Sequence, residues 1–249
     1  VYTHSEADVR HLWSADEVLS EVPGHSVSKQ RAFGQPDISS RFIRTNVLGR
    51  EVDFLAESFE RFVGILNTDD QNEARNIIDF VRGAEPPGMR SRKVDGLVKR
   101  LGDFTHSKPA IVGAPAESYH LIYGDKSYLE FFRQYQHRRK VVYIGGNDGL
   151  LHSFNAGWFE SKAQQHVSNK NSRSSWLLGQ EIWAFVPMSV LPHLKYLTRE
   201  KYGDTVSDHL SLLDQTPYIV DAKIFGDDGV SGQDDRNFRN AKGEKISNK

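Results

Sequence analysis

The chain has 249 residues, 38% of them hydrophobic and 26% charged, enough for one large β domain or two smaller ones. With 33 acidic and 32 basic side chains the net charge is −1, which argues against nucleic-acid binding or polybasic docking to a membrane by the chain as a whole. Cysteine is absent, which removes disulfides, thiolate metal sites and cysteine nucleophiles together, and no apolar run is long enough to span a membrane. Opening at Val1 without a signal peptide and closing on a polar tail, the sequence reads as a piece of a longer protein.

Arg10–Ser14 (RHLWS) reads as a short strand, and Gly24, Gly34 and Pro36 mark the following stretch as loop. Asp53–Leu66 places Phe54, Leu55, Phe59, Phe62 and Val63 at roughly helical spacing, so a helix is expected there. Thr68–Arg82 is the clearest local element. Thr68 and Gln71 form a capping box, Asp69 and Asp70 suit the positive end of the helix dipole, and Ala74, Ile77, Ile78 and Val81 line one face. Gly83 then stops the helix in the left-handed conformation. Glu85–Gly88 is loop, and Arg90, Arg92, Lys93, Lys99 and Arg100 form a basic run, read either as a solvated loop or as an anion or partner site.

Pro109 opens a strand that continues through Ala110–Val112. Ser127 is the expected cap of a helix whose Tyr128, Phe131, Phe132 and Tyr135 form a core-facing aromatic stripe. Val141–Phe154 (VVYIGGNDGLLHSF) is a β-hairpin signature, with strand-forming flanks around a turn built from Gly145, Gly146, Asn147, Asp148 and Gly149, residues that tolerate positive φ. The polar stretch Gly157–Leu178 is expected to be a mobile or functional loop that tolerates deletion. Glu181–Val186 (EIWAFV) is a strand, Leu191–Leu197 a short helix capped by Ser189, and Leu212–Phe225 a turn and strand beginning at Pro217. Hairpin, loop and Trp-bearing strand fit either a β-propeller blade or a sandwich meander.

The ten histidines are scattered and form neither HxH nor HExxH. His106 and His152, in or beside strands, are expected to be partly buried structural residues. Neither a GxSxG elbow nor a GxxxxGK[ST] phosphate loop occurs. In the acidic tail, Asp227, Asp228, Asp234 and Asp235 are candidate calcium ligands, but they lack EF-hand spacing, and a solvated loop explains them equally well. Asn147 and Asp148 have ligand atoms too, although with Gly149 they are accounted for as a structural blade turn.

LGDFTHSKPAIVGAP (101–115), VVYIGGNDGLLHSFNA (141–156), EIWAFVPMSVLPHLKYLT (181–198) and LLDQTPYIVDA (212–222) together resemble, in order and spacing, segments of the PilY-type type IV pilus biogenesis proteins, tip adhesins that include neisserial PilC. IIDFVRGAE (77–85) sits where that family has a helix ending in Arg-Gly. The resemblance implies a mainly β fold: part of a modified seven-bladed β-propeller with inserted short helices. Residues 1–64 would be a poorly matched lead-in, 65–225 the first blades, and 226–249 a polar loop or tail. It also implies a non-enzymatic, secreted factor at the pilus tip or outer-membrane surface. Such a factor supports pilus assembly, opposes retraction, and mediates adhesion and twitching motility. Its partners would be type IV pilin, minor pilins, and a host or abiotic surface. It implies no cofactor in this segment, while calcium is bound by some members in a later blade. Two departures stand out: Asp214-Gln215 where the family has Asp-Gly, and the lengthened 157–178 loop. The alternatives are a quinoprotein dehydrogenase, whose Gly-x-Glu-x-Trp strand pattern Gly179, Glu181 and Trp183 match, or a propeller scaffold for protein contacts.

Overall fold

In the computed structural model, residues 11–160, 165–168 and 176–222 are described. The chain divides into two compact units, Val1–Tyr218 and Ile219–Lys249. The four described residues of the second, 219–222, form neither helix nor strand.

Strands β1 (Ile43–Val47), β2 (Arg50–Asp53), β5 (Ala110–Val112), β6 (Lys140–Gly145), β7 (Leu151–Glu160), β8 (Gln165–Val167) and β9 (Glu181–Val186) form one sheet. Its order is β2-β1-β9-β7-β6-β5, with β8 on the far end of β7. The β5-β6-β7-β9 part is an antiparallel meander, whereas β1 joins β9 in parallel, Ile43 opposite Ala184 and Thr45 opposite Val186. The fold is thus a mixed sheet with a few short helices, and the described strands form an open sheet with ends at β2 and β5. A separate small hairpin pairs β3 (Lys93–Val94) with β4 (Leu97–Val98). Its Asp95-Gly96 turn has both φ angles positive, at +49° and +81°, the geometry that tight hairpins require.

Three helices correct the expected caps and boundaries. The described residues of the strand expected at 10–14 form none, and Ser14 instead caps α1 (Ala15–Ser20). Ser14 accepts from Glu17 N, and Asp16 and Glu17 occupy the first turn, so these polar residues start a helix. α2 (Gln71–Arg82) is capped by Asp70, whose Oδ1 accepts from the Asn72 and Glu73 amides at 2.7 and 2.9 Å. Thr68 instead donates to the Glu73 carboxylate and accepts from Asp70 N. Gly83 closes the helix at φ +116° as expected. α4 (Lys126–Tyr135), which follows the one-turn helix α3 (Tyr119–Ile122), is capped by Asp125, which accepts from Tyr128 N and the Ser127 hydroxyl. Of its aromatic stripe only Tyr128 is buried. The rings instead form a half-exposed cluster with α3, in which Tyr119 lies 5.2 Å from Tyr128.

The helix expected over 53–66 does not form. β2 takes the chain through Asp53, a 3-10 turn covers Ala56–Arg61, and Gly64 and Asn67 adopt positive φ. The helical spacing of its aromatics reflects burial: Phe54, Phe59, Phe62 and Leu66 are inside. A 3-10 turn at Leu191–His193 precedes α5 (Leu194–Leu197), without a side-chain cap from Ser189. Val190, Leu191, Leu194 and Leu197 do point inward, as their spacing indicates. The described residues of 212–225 hold no strand. Their partner, segment 106–108, is met through side chains: Ser107 Oγ donates to Gln215 O, and Lys108 N donates to the Thr216 hydroxyl. Pro217 offers no amide for a ladder.

The 157–178 stretch is partly built into the fold. β7 continues to Glu160 and pairs with β8. Trp176 is buried, with the Arg31 and Arg139 guanidinium groups each 5.0 Å from its ring centre. Gly157, at φ +65°, passes so close to Val167 O that a Cβ would sit 2.1 Å from it. Deletion of the whole stretch would therefore remove packed residues.

The main core lies among α2, α5, the 54–66 segment and the β1–β9 part of the sheet. A smaller cluster joins Leu19 of α1 to Ile144 and Phe154. Phe62, fully buried and packed edge-on to Phe54 at 5.4 Å, has no route to collapse around a truncation. Phe62→Ala is expected to destabilise the fold by about 3–5 kcal/mol in chemical unfolding.

Candidate functional site

The β6–β7 turn is a structural junction. Gly146 N donates to Leu150 O, and Gly149 N to Gly146 O. Asn147 is buried. Its Nδ2 donates to Asp103 Oδ2 at 2.7 Å, and its Oδ1 accepts from Leu212 N at 3.0 Å. The Asp148 carboxylate accepts from Gly102 N, Leu150 N and the His152 ring. Gly149 has φ +86°, and a Cβ there would lie 2.7 Å from Leu194 Cδ2. Backbone chemistry and interior hydrogen bonds therefore account for all three turn residues. Asp227, Asp228, Asp234 and Asp235 lie outside the described residues. Among the described residues, no group of three or more His, Asp or Glu side chains is disposed to hold a metal ion.

Beneath the turn runs a buried charge array. Arg41 meets Glu181 with two bonds, Nε to Oε2 at 2.8 Å and Nη2 to Oε1 at 2.7 Å. His152 Nδ1 lies 2.8 Å from Glu181 Oε1, and its Nε2 lies 3.0 Å from Asp148 Oδ2. Ionised carboxylates only accept, so both ring nitrogens donate and the ring is an imidazolium. Burial opposes that charge, but Asp148 and Glu181 outweigh it and raise His152 from 6.5 to about 9. Burial likewise opposes the Glu181 carboxylate, and Arg41 with His152 reverses the effect, holding Glu181 well below its usual range. Two cations and two anions thus balance. His152 is the buried structural histidine that its strand position suggests. His106, by contrast, is exposed and pairs with Asp214, which that contact keeps below its ordinary value. Within the Gly-x-Glu-x-Trp pattern, Glu181 is committed to Arg41 and His152, and Trp183 packs 5.7 Å from Tyr143.

Three further arginines serve backbone carbonyls around the array. Arg31 donates to Glu181 O and Ile182 O, Arg82 to Phe54 O and Lys29 O, and Arg100 to Gly83 O, Leu19 O and Ser20 O. Burial, with Arg41 adding repulsion, lowers Arg82 to about 9 and Arg100 to about 10. A single charged residue carries no local sequence signal of the carbonyls it will meet, whether in an irregular segment, as Arg31 and Arg41 are, or at a helix end, as Arg82 is.

A cleft of about 430 Å³ opens between the turn, the end of α2, the β3–β4 hairpin and the 197–209 segment. The basic run lines it, but largely not as a solvated loop. Arg92 stacks 3.8 Å over Phe80 and donates to Glu85 and Ala84 O, and burial lowers it to about 10. Lys99 pairs with Asp16 at 2.6 Å. Arg90 donates Nε to Leu197 O and lies 5.0 Å over the Tyr202 ring. Lys93 alone of the five is exposed. On the opposite wall His209 Nε2 meets Asp103 Oδ1 at 2.9 Å.

The array sets a pH window. Its His152 contribution is complete below the unfolded value of about 6.5 and is lost as pH rises through about 9. The Glu181 contribution is complete above the unfolded value of about 4.5 and declines as pH falls below it. Stability should therefore peak near pH 5–6.5 and fall on the alkaline side, as followed by urea unfolding across pH. Glu181→Gln, which strands the buried Arg41 charge, is expected to cost about 3–5 kcal/mol.

No family model matches the chain, and no solved structure matches it. Curated relatives do. The chain is 32% identical over 175 residues to the type IV pilus biogenesis factor PilY1 of Pseudomonas aeruginosa UCBPP-PA14, covering 64% of this chain and 12% of that protein. It is 34% identical over 106 residues to the PilY1 homologue of Xylella fastidiosa Temecula1, covering 41% of this chain and 7% of the homologue. Against PilY1 of P. aeruginosa PAO1 it is 25% identical over 236 residues, covering 90% of this chain and 17% of that protein. The chain therefore spans less than a fifth of the length of each of these relatives. It is a PilY-like segment, similar to one part of the type IV pilus biogenesis factors of that name.

Proposed function

We propose that this chain is part of a non-enzymatic type IV pilus biogenesis factor working at the pilus tip and outer cell surface. There it promotes assembly against retraction and supports attachment and twitching motility. Its proposed partners are type IV pilin, the minor pilins, and a host or abiotic surface. The observation that carries this reading is the 32% identity over 175 residues to a protein named as a pilus biogenesis factor. Among the described residues no helix is long and apolar enough to cross a membrane, which is compatible with a surface role.

The proposed architecture is part of a modified seven-bladed propeller. In support, β5-β6-β7-β9 is a four-stranded antiparallel meander of the kind a blade requires. In this reading residues 1–64 are a lead-in and 65–225 the first blades, and the parallel addition of β1, with β2 beyond it, is a departure from a regular blade. Calcium, where the longer protein binds it, is assigned to residues outside those described.

Deleting the gene for the longer protein is expected to abolish surface pili, seen by electron microscopy, and twitching on agar. The intact gene should restore both, and one lacking the codons for residues 65–225 should restore neither. Normal piliation and twitching in the deletion strain would overturn the assignment.

A further inference from the structure

The cleft beside the hairpin turn has more hydrogen-bond donors than the chain itself uses. Its two carboxylates are satisfied from within: Asp148 by Gly102, Leu150 and His152, Asp103 by Asn147, Thr105 and His209. Two of its cations are not, although Arg92, Lys99 and Arg100 are engaged by Glu85, Asp16 and backbone carbonyls. Among the described residues Lys93 Nζ has no hydrogen-bond or ion-pair partner, and Arg90 donates only Nε, leaving both terminal nitrogens without an acceptor. Arg90 is half-buried, and desolvation lowers its pKa. Its neighbour Arg92 is lowered further, with Arg90 adding repulsion. A guanidinium with spare donors in a partly dehydrated cleft favours an anion with two oxygens in a plane.

The surroundings narrow the class of anion. Exposed Val94 and half-buried Tyr202 give the cleft an apolar surface beside these cations, while Phe80 and Leu197 are buried beneath it. Asp103, half-exposed on the opposite side, opposes a multiply charged ligand. The volume suits a few side chains and not a long polymer.

We propose that this cleft binds an acidic peptide segment of a partner protein, one carboxylate pairing with Arg90 and Lys93 and an adjacent apolar side chain resting on Val94 and Tyr202. The proposal is independent of the pilus reading, since it concerns only what the cleft recognises.

The test is fluorescence anisotropy of a labelled acetyl-Gly-Glu-Leu-Glu-Gly-amide peptide titrated with the full chain. Saturable binding is expected. The Gln-for-Glu peptide should bind at least about tenfold more weakly, and Arg90→Gln and Lys93→Gln should each weaken binding about tenfold, the 1.4 kcal/mol of one charge-assisted contact. Lys93 is exposed, so Lys93→Gln reports on the cleft even if Arg90→Gln unfolds the chain. The proposal is overturned if the Glu peptide fails to bind, if the Gln peptide binds equally, or if Lys93→Gln binds like the parent. Displacement of the labelled peptide by inorganic phosphate as readily as by unlabelled peptide would overturn it too, since the cleft would then be a general anion site.

Discussion

Glu181 begins β9 with its carboxylate in the interior, a placement that costs several kcal/mol unless the charge is met. Arg41 meets it with two parallel bonds from a chain segment 140 residues earlier. The same guanidinium reaches Arg82 O at the end of α2, and Glu181 also holds His152 on β7. One ion pair thereby joins the lead to β1, the centre of the sheet, the last turn of α2 and the hairpin. The arrangement of these elements depends on its being complete, because a half-paired charge in this position is worse than none.

The arginines around the pair show why the charge is spent inside. The fold contains long irregular stretches whose carbonyls cannot all find ladder partners, and a buried carbonyl without a donor is costly. A single guanidinium with five donors can serve several such carbonyls from different segments. Arg100 does so for α1 and the end of α2, and Arg82 for residues 29, 41 and 54. Interior arginine here takes the place that sheet and helix occupy in a more regular core.

Local chemistry was legible in the residues. The Gly146–Gly149 turn, the Gly83 stop and the inward face of α2 depend on neighbours a few positions away, and the structure matches each. Caps slipped by two residues, at Asp70 for Thr68 and Asp125 for Ser127, because several acceptors compete at a helix start and only backbone geometry selects one. Val94-Asp95-Gly96-Leu97 carried a hairpin signal that the surrounding basic run obscured. The aromatics of 54–66 have helical spacing without a helix because each is buried from a different turn of an irregular segment. The Arg41–Glu181 contact and the cleft were beyond reach, since they arise from residues brought together only by the completed sheet. The similarity to PilY1 of P. aeruginosa PAO1 covers 90% of the chain and so takes in the four segments that suggested PilY-type proteins.

The parallel pairing of β1 with β9 has a consequence for how the chain acquires its shape. A polypeptide that emerges from its N-terminal end presents Ile43–Val47 long before Glu181–Val186 exists as a partner. Closing a contact over so many residues is slow, and the loop entropy must be met before the contact repays it. Until then β1 can pair only with β2, and Arg41 must stay hydrated while α2 and the β6–β7 hairpin mature beside it. β9 supplies the middle strand and the counter-charge together, so the sheet and the buried ion pair are completed by the same segment.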